Sequence, residues 1–121
     1  MTEPRTYETQ EACPVARTLN VVGDRWTILV LRELSWGRKR YSHLLEALGG
    51  ISTNLLADRL KKLEEAGMVT QVPYSKHPPR FEYGLSDKGR AFVPVLRALR
   101  EYGEAWEPSQ AASPAEVPGQ A

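Results

Sequence analysis

The sequence predicts a mainly α domain with a single small β hairpin, and three observations carry that prediction. First, Leu56, Leu60 and Leu63 recur at i, i+4 and i+7, while Asn54, Asp58 and Lys61 fall on the opposite side, which is the pattern of an amphipathic helix. Ser52 is placed to cap that helix, accepting from an unpaired N–H of its first turn, and Gly67 supplies a left-handed stop. Second, Val69–Tyr74 and Arg80–Leu85 are β-rich runs separated by Ser75-Lys76-His77-Pro78-Pro79. That connection reads as too long and too rich in proline for a tight two-residue turn. Third, Phe92, Val95, Leu96, Leu99, Tyr102 and Trp106 mark a long apolar stripe near the C-terminal end. The stripe extends beyond what one small domain can cover.

The remaining elements follow in chain order. Residues 1–12 are polar and read as a flexible arm. Pro14–Val22 forms a first helix with Val15, Leu19 and Val22 on one face, proline standing at the position where its missing N–H is harmless. Gly23 ends it. Asp24 caps a second helix over Arg25–Leu34, whose Trp26, Ile28, Leu29, Leu31 and Leu34 make it the element expected to be most buried. Ser35-Trp36-Gly37 breaks the chain. Ser42 caps a third helix, His43–Leu48, which Gly49-Gly50 terminates, so that the turn into the helix at Ser52 is short. After the hairpin, Ser86 caps a final helix with an expected kink at Pro94. Residues 107–121, EPSQAASPAEVPGQA, lack large apolar side chains and read as a disordered tail. The folded domain is thus residues 13–106. Two helices joined by a short turn and followed by a basic hairpin form the arrangement of a winged helix-turn-helix, which enters a major groove with its second helix and flanks it with the wing.

Composition narrows the function classes. The chain has 121 residues, one domain's worth. Its longest apolar run, Ile28-Leu29-Val30-Leu31, is one helical turn, which argues against a membrane span, and the polar N-terminus lacks a signal-peptide hydrophobic region. A cytoplasmic location is expected. One cysteine excludes an internal disulfide framework, and two histidines make a dedicated metal site improbable; no cofactor is expected. The net charge of +1 conceals an asymmetry. Residues 1–37 hold four Lys/Arg against five Asp/Glu, residues 38–90 ten against six, and residues 91–121 two against four. The segments therefore carry −1, +4 and −2, and the positive one is the helix-hairpin segment, suited to meet a polyanion through one face.

The candidate chemistry lies in that segment. With the leucines taken as the core direction, Asn54, Asp58 and Lys61 point outward with Thr53 and Ala57 on the shoulder. Asn suits adenine and a Thr methyl can touch thymine, while Ser52 and the helix N-terminus suit a phosphate. An ordinary solvated helix face is the competing reading. Arg38-Lys39-Arg40 is either a phosphate clamp or a solvated loop, and the same alternatives apply to Lys76, His77 and Arg80 at the wing. Arg59 flanks the core face, where an intramolecular carboxylate is at least as good a partner as DNA. Cys13 precedes Pro14 at a helix N-terminus, where a thiolate is favoured and Arg17 could add to the effect; a small buried apolar side chain is the alternative. Catalytic readings fail. Glu64-Glu65 diverge, His43 and His77 have no partner at useful spacing, and Gly49-Gly50 lacks the rest of a phosphate loop.

Taken together these blocks resemble the HxlR-type family of bacterial transcriptional regulators. The resemblance is carried by Cys13-Pro14-Val15, Gly23-Asp24-Arg25-Trp26-Thr27 and Arg40-Tyr41-Ser42-His43-Leu44. It continues through Gly50-Ile51-Ser52, Leu56, Arg59-Leu60, Leu63-Glu64 and Gly67-Met68-Val69. Pro78-Pro79-Arg80-Phe81-Glu82-Tyr83-Gly84-Leu85 and the helix bearing Gly89, Pro94-Val95-Leu96 and Trp106 complete it, over roughly residues 13–106. It departs in two places, with Asp24 where Lys is common and Tyr41 where Phe is common.

The resemblance implies a homodimer joined through its first and last helices, with Val15, Leu19, Leu99, Tyr102 and Trp106 at the interface, bound to double-stranded DNA at a roughly palindromic operator. Some members of that family use the cysteine matching Cys13 to sense oxidants or electrophiles. Without a second cysteine, such a switch reduces to a Cys13–Cys13′ bridge, a mixed disulfide with a small thiol, or alkylation. Two rivals stand beside a thiol-switched regulator: one that senses a small apolar ligand at the dimer interface near Trp26, Trp36 or Trp106, and a winged-helix protein-interaction module without DNA affinity.

Overall fold

The computed structural model describes residues 9–109. Six helices and a two-stranded antiparallel sheet follow in the order α1 (Pro14–Val22), α2 (Arg25–Leu34), α3 (Tyr41–Ala47), α4 (Thr53–Glu65), β1 (Val69–Lys76), β2 (Pro79–Leu85), α5 (Asp87–Arg90) and α6 (Val93–Trp106). The core lies where α2, α3 and α4 meet. Val30, Leu31 and Leu34 of α2, Leu44 of α3, and Leu56, Leu60 and Leu63 of α4 are buried there, closed below by Met68, Val69 and Phe92. Each fully buried leucine contributes roughly 1.5–3 kcal/mol by leaving water. Trp26, Ile28 and Leu29, expected among the buried residues of α2, are only half-buried, and Ile28 and Leu29 line the groove between α1, α2 and α6.

The capping chemistry fixes most boundaries. Asp24 Oδ1 accepts from the Thr27 N–H at 2.8 Å and starts α2, and Ser52 Oγ accepts from the Leu55 N–H at 3.1 Å and starts α4. Gly67 ends the α4 turn at φ +79°, a conformation that side-chain-bearing residues rarely adopt. Gly89 is required for a different reason: a Cβ there would meet the Met68 carbonyl oxygen at 2.2 Å, so α5 packs directly on the strand entering the wing.

Four expectations are corrected. The final helix is two, α5 and α6, separated at Ala91–Phe92. The Pro94 ring is incompatible with the carbonyl four residues earlier, so the chain restarts a helix with Pro94 in its first turn instead of kinking through it. The third helix begins at Tyr41, before Ser42, and its N-cap Arg40 supplies no side-chain bond. The wing turn is tight after all: Lys76 pairs with Pro79, leaving His77-Pro78 between them, joined by a cis peptide as in the turn class with cis-proline at its third position. Finally, the expected arm is not wholly irregular: Gln10–Ala12 form a 3-10 turn capped by Thr9, whose Oγ accepts from the Ala12 N–H at 3.3 Å. The rest of the arm, residues 1–8, and most of the tail, residues 110–121, lie outside the described residues.

Candidate nucleic-acid interface

Helix α4 presents one face to the core and the other to solvent. Thr53, Asn54, Ala57, Asp58 and Lys61 are all exposed, as is Ser52 at its start. Neither Asn54 nor Lys61 commits its side chain to a bond with another described residue, so the amide and the ammonium are both available to a ligand. Ser52 Oγ is used as an acceptor by the cap, and its hydroxyl proton remains to be donated. Asp58 differs from its neighbours: its Oδ2 contacts Arg59 and lies 3.6 Å from Lys62 Nζ.

The basic run before α3 is not a loose loop. The Lys39 N–H donates to the Tyr83 carbonyl at 3.0 Å and the Tyr83 N–H returns a bond to the Lys39 carbonyl at 2.7 Å. This bridge adds residue 39 to the open edge of β2 as a one-residue third strand. Arg38 packs its aliphatic chain against Gly84, and the Arg40 guanidinium stacks 4.6 Å from the centre of the Tyr74 ring. Backbone pairing and stacking therefore hold Arg38, Lys39 and Arg40 against the wing, on whose tip Lys76, His77 and Arg80 are exposed.

Three contacts that position this surface join residues whose pairing the sequence did not specify. The Tyr41 hydroxyl donates to the Thr53 carbonyl at 2.6 Å and pins the start of α4 to α3. Tyr74 receives Arg40. Arg59 Nε donates to Asp24 Oδ2 at 2.5 Å, tying the α2 cap to the middle of α4. Each joins residues at least a dozen positions apart, for which no local pattern exists; only the Arg59 reading anticipated a carboxylate. Burial pushes the Asp24 carboxyl upward, but the Thr27 N–H and Arg59 outweigh it and hold the group below its usual range. Tyr83 is raised, first by burial and then by the Glu64 charge.

Helices α1, α2 and α6 enclose an open, mainly apolar groove of about 800 Å³, lined by Val15, Leu19, Ile28, Leu29, Val95 and Leu99. Val15, Leu19, Leu99, Tyr102 and Trp106 are 67%, 55%, 50%, 62% and 70% exposed. Cys13 caps α1 and is half-buried. Arg17, one turn into α1, donates from Nη1 to the Glu11 carbonyl at 2.7 Å.

Comparison with known proteins agrees with this geometry. The sequence model described as HxlR-like helix-turn-helix matches residues 21–111. The chain is 42% identical to the HTH-type transcriptional regulator sll1512 of Synechocystis, over 83% of this chain and 74% of that one. Among solved structures, the redox regulator HypR in its oxidised form superposes with a TM-score of 0.72 at 32% identity, covering 77% of this chain and 96% of that one. The reduced form of the transcriptional regulator YodB from B. subtilis gives 0.69 at 30% identity, covering 81% and 98%.

Proposed function

From a chain that belongs to the HxlR-like helix-turn-helix family, and is therefore a DNA-binding transcriptional regulator with a winged helix and not an enzyme, we propose a homodimer that occupies a roughly palindromic operator. In each protomer, residues 13–106 act as one unit. Helix α4 enters the major groove, where Thr53, Asn54, Ala57, Asp58 and Lys61 meet base edges. Ser52, Arg38, Lys39, Arg40, Lys76, His77 and Arg80 take phosphates. The observation that carries this reading is the Lys39–Tyr83 bridge, which locks the basic run and the wing into one positive frame around an α4 whose Asn54 and Lys61 side chains are uncommitted. Phosphate contacts of that kind set register, and the α4 side chains then supply sequence discrimination.

The second copy covers the groove between α1, α2 and α6. Val15, Leu19 and Leu99 line that groove, and with Tyr102 and Trp106 farther along α6 they are large apolar side chains left exposed, the mark of a partner surface. A dimer joined through that face carries two α4 helices related by a two-fold axis, which a palindromic operator mirrors. The signal enters through Cys13, which starts α1 and so lies where modification alters the dimer face. HypR is described as a redox regulator, which supports a thiol input here. The groove supports a second input, a small apolar ligand, because its volume lies in the range of small-molecule sites.

A gel-shift series on genomic fragments at several salt concentrations tests the DNA reading. Discrete complexes that survive competitor DNA are expected; no binding even at low salt would return the domain to a protein-interaction module. Operator affinity with and without diamide tests the signal, release being expected in the parent and not in Cys13→Ser. If both release alike, the input is not this thiol.

A further inference from the structure

Asp58 is a carboxylate on the solvent face of α4, where DNA phosphates would repel it unless its charge were offset. Two cations do that. Arg59 Nη1 contacts Asp58 Oδ2, and Lys62 Nζ lies 3.6 Å from the same oxygen. Both contacts fall on Oδ2, so Oδ1 is left as an acceptor, on a side chain that is 46% exposed. A carboxylate with one oxygen held and the other left as an acceptor has a fixed preference among base edges. Guanine and the O4 edge of thymine present acceptors and repel it. Adenine presents an N6 donor beside the N7 acceptor, whereas cytosine presents the N4 donor alone.

The direction of that oxygen depends on Arg59, which is itself held. Its Nε donates to Asp24 Oδ2 at 2.5 Å, and Asp24 is fixed by the Thr27 N–H at 2.8 Å and the Thr27 hydroxyl at 3.2 Å. Arg59 is thereby held between two carboxylates, Asp24 through Nε and Asp58 through Nη1.

We propose that Asp58 selects cytosine at one position of each half-site, and that the Asp24–Arg59 pair positions its carboxylate to do so. The proposal rests on α4 entering the major groove. It differs from simple surface ion pairing in requiring a base-specific consequence at a single position. A purely structural network would change stability or overall affinity and leave base preference where it was.

The test is selection from a random pool of duplexes, with sequencing of the bound fraction, for the parent protein and three variants. The parent should enrich cytosine about fivefold or more at one position of each half-site. Asp58→Ala should abolish that preference and leave the other positions unchanged. Asp58→Asn should move it toward adenine, whose N6/N7 pair an amide matches. In Asp24→Asn the α2 cap persists, since Asn and Asp cap comparably, so the fold is retained while Arg59 keeps Asp58 but loses the charged partner that fixes it from α2; cytosine enrichment should fall by half or more. An unchanged cytosine preference in Asp58→Ala, or a loss spread evenly over all positions, overturns the assignment of Asp58. An undiminished preference in Asp24→Asn overturns the positioning role. A parent that enriches no sequence at all overturns the groove reading itself, a result distinguishable from either of these.

Discussion

Helices α4 and α6 are nearly the same length, thirteen and fourteen residues, and both carry a clear apolar stripe, yet they are used in opposite ways. In α4 the stripe is consumed: Leu56, Leu60 and Leu63 are 0%, 1% and 0% exposed. In α6 no residue is buried, and Leu99 is half exposed. The polar faces differ correspondingly. That of α4 leaves Asn54 and Lys61 without partners among the described residues, whereas that of α6 carries Arg97, Arg100, Glu101 and Glu104 in mixed sign. A helix whose apolar face is satisfied inside its own domain has its polar face to offer, and α6 has its apolar one. That difference is the ground for proposing α4 as the face that meets nucleic acid and α6 as the face that a second copy covers.

The leucines of the two helices should respond differently to truncation. Leu60→Ala should cost about 2–5 kcal/mol of unfolding free energy in urea, as cavity-forming changes in a packed core do. Leu99→Ala combined with Trp106→Ala should yield a monomer by light scattering, or a poorly folded chain if protomer and dimer stability are inseparable. A stable dimer in that double variant would remove α6 from the interface.

The polar face of α4 and the basic frame beside it separate on DNA. Asn54→Ala should lose about 1–3 kcal/mol on the operator and relax one of its positions. Lys39→Ala should weaken specific and random DNA alike and reduce the salt slope by about one unit for each phosphate left unneutralised in a half-site. Indistinguishable losses from the two substitutions, measured by titration at several salt concentrations, would mean that α4 is oriented wrongly in the groove.

A smaller change is expected in acid stability. The Asp24 carboxyl is lowered from 3.8 in the folded protein, so it binds a proton less readily than in the unfolded chain. Its contribution is therefore complete above about pH 4 and is lost as pH falls through the lower folded value. Because the side chain is partly exposed, the effect is modest. Asp24→Asn should flatten the pH dependence of thermal unfolding below pH 4 relative to the parent.

What the sequence disclosed and what it withheld divide along the same physical line. The periodicity of Leu56, Leu60 and Leu63, the caps Asp24 and Ser52, and the stop at Gly67 act within one or two turns, and these placed α2 and α4 correctly. The break before α6 was not legible, because Pro94 lies within a continuous apolar periodicity and so reads as an interior residue. A proline in a helix's first turn costs little, which makes a restart cheaper than a kink. The wing turn was not legible either, since it is shortened by the Lys76–Pro79 pairing, a cross-strand contact that the proline-rich composition of the connection does not signal. Within the interface, the residue types on α4 were readable from the 100° step. The framework that aims them was not, since Tyr41–Thr53, Arg40–Tyr74, Lys39–Tyr83 and Asp24–Arg59 are contacts between distant segments.

Whether two α4 helices read one operator as a symmetric pair is decided by the arrangement of bases in the DNA that the purified protein selects from a random pool. An inverted repeat is expected, its half-sites centred about 10–10.5 base pairs apart or a multiple of that, the spacing that puts both helices in major grooves on one side of the duplex. A single motif without a symmetric mate, bound by one protomer, would contradict the paired reading.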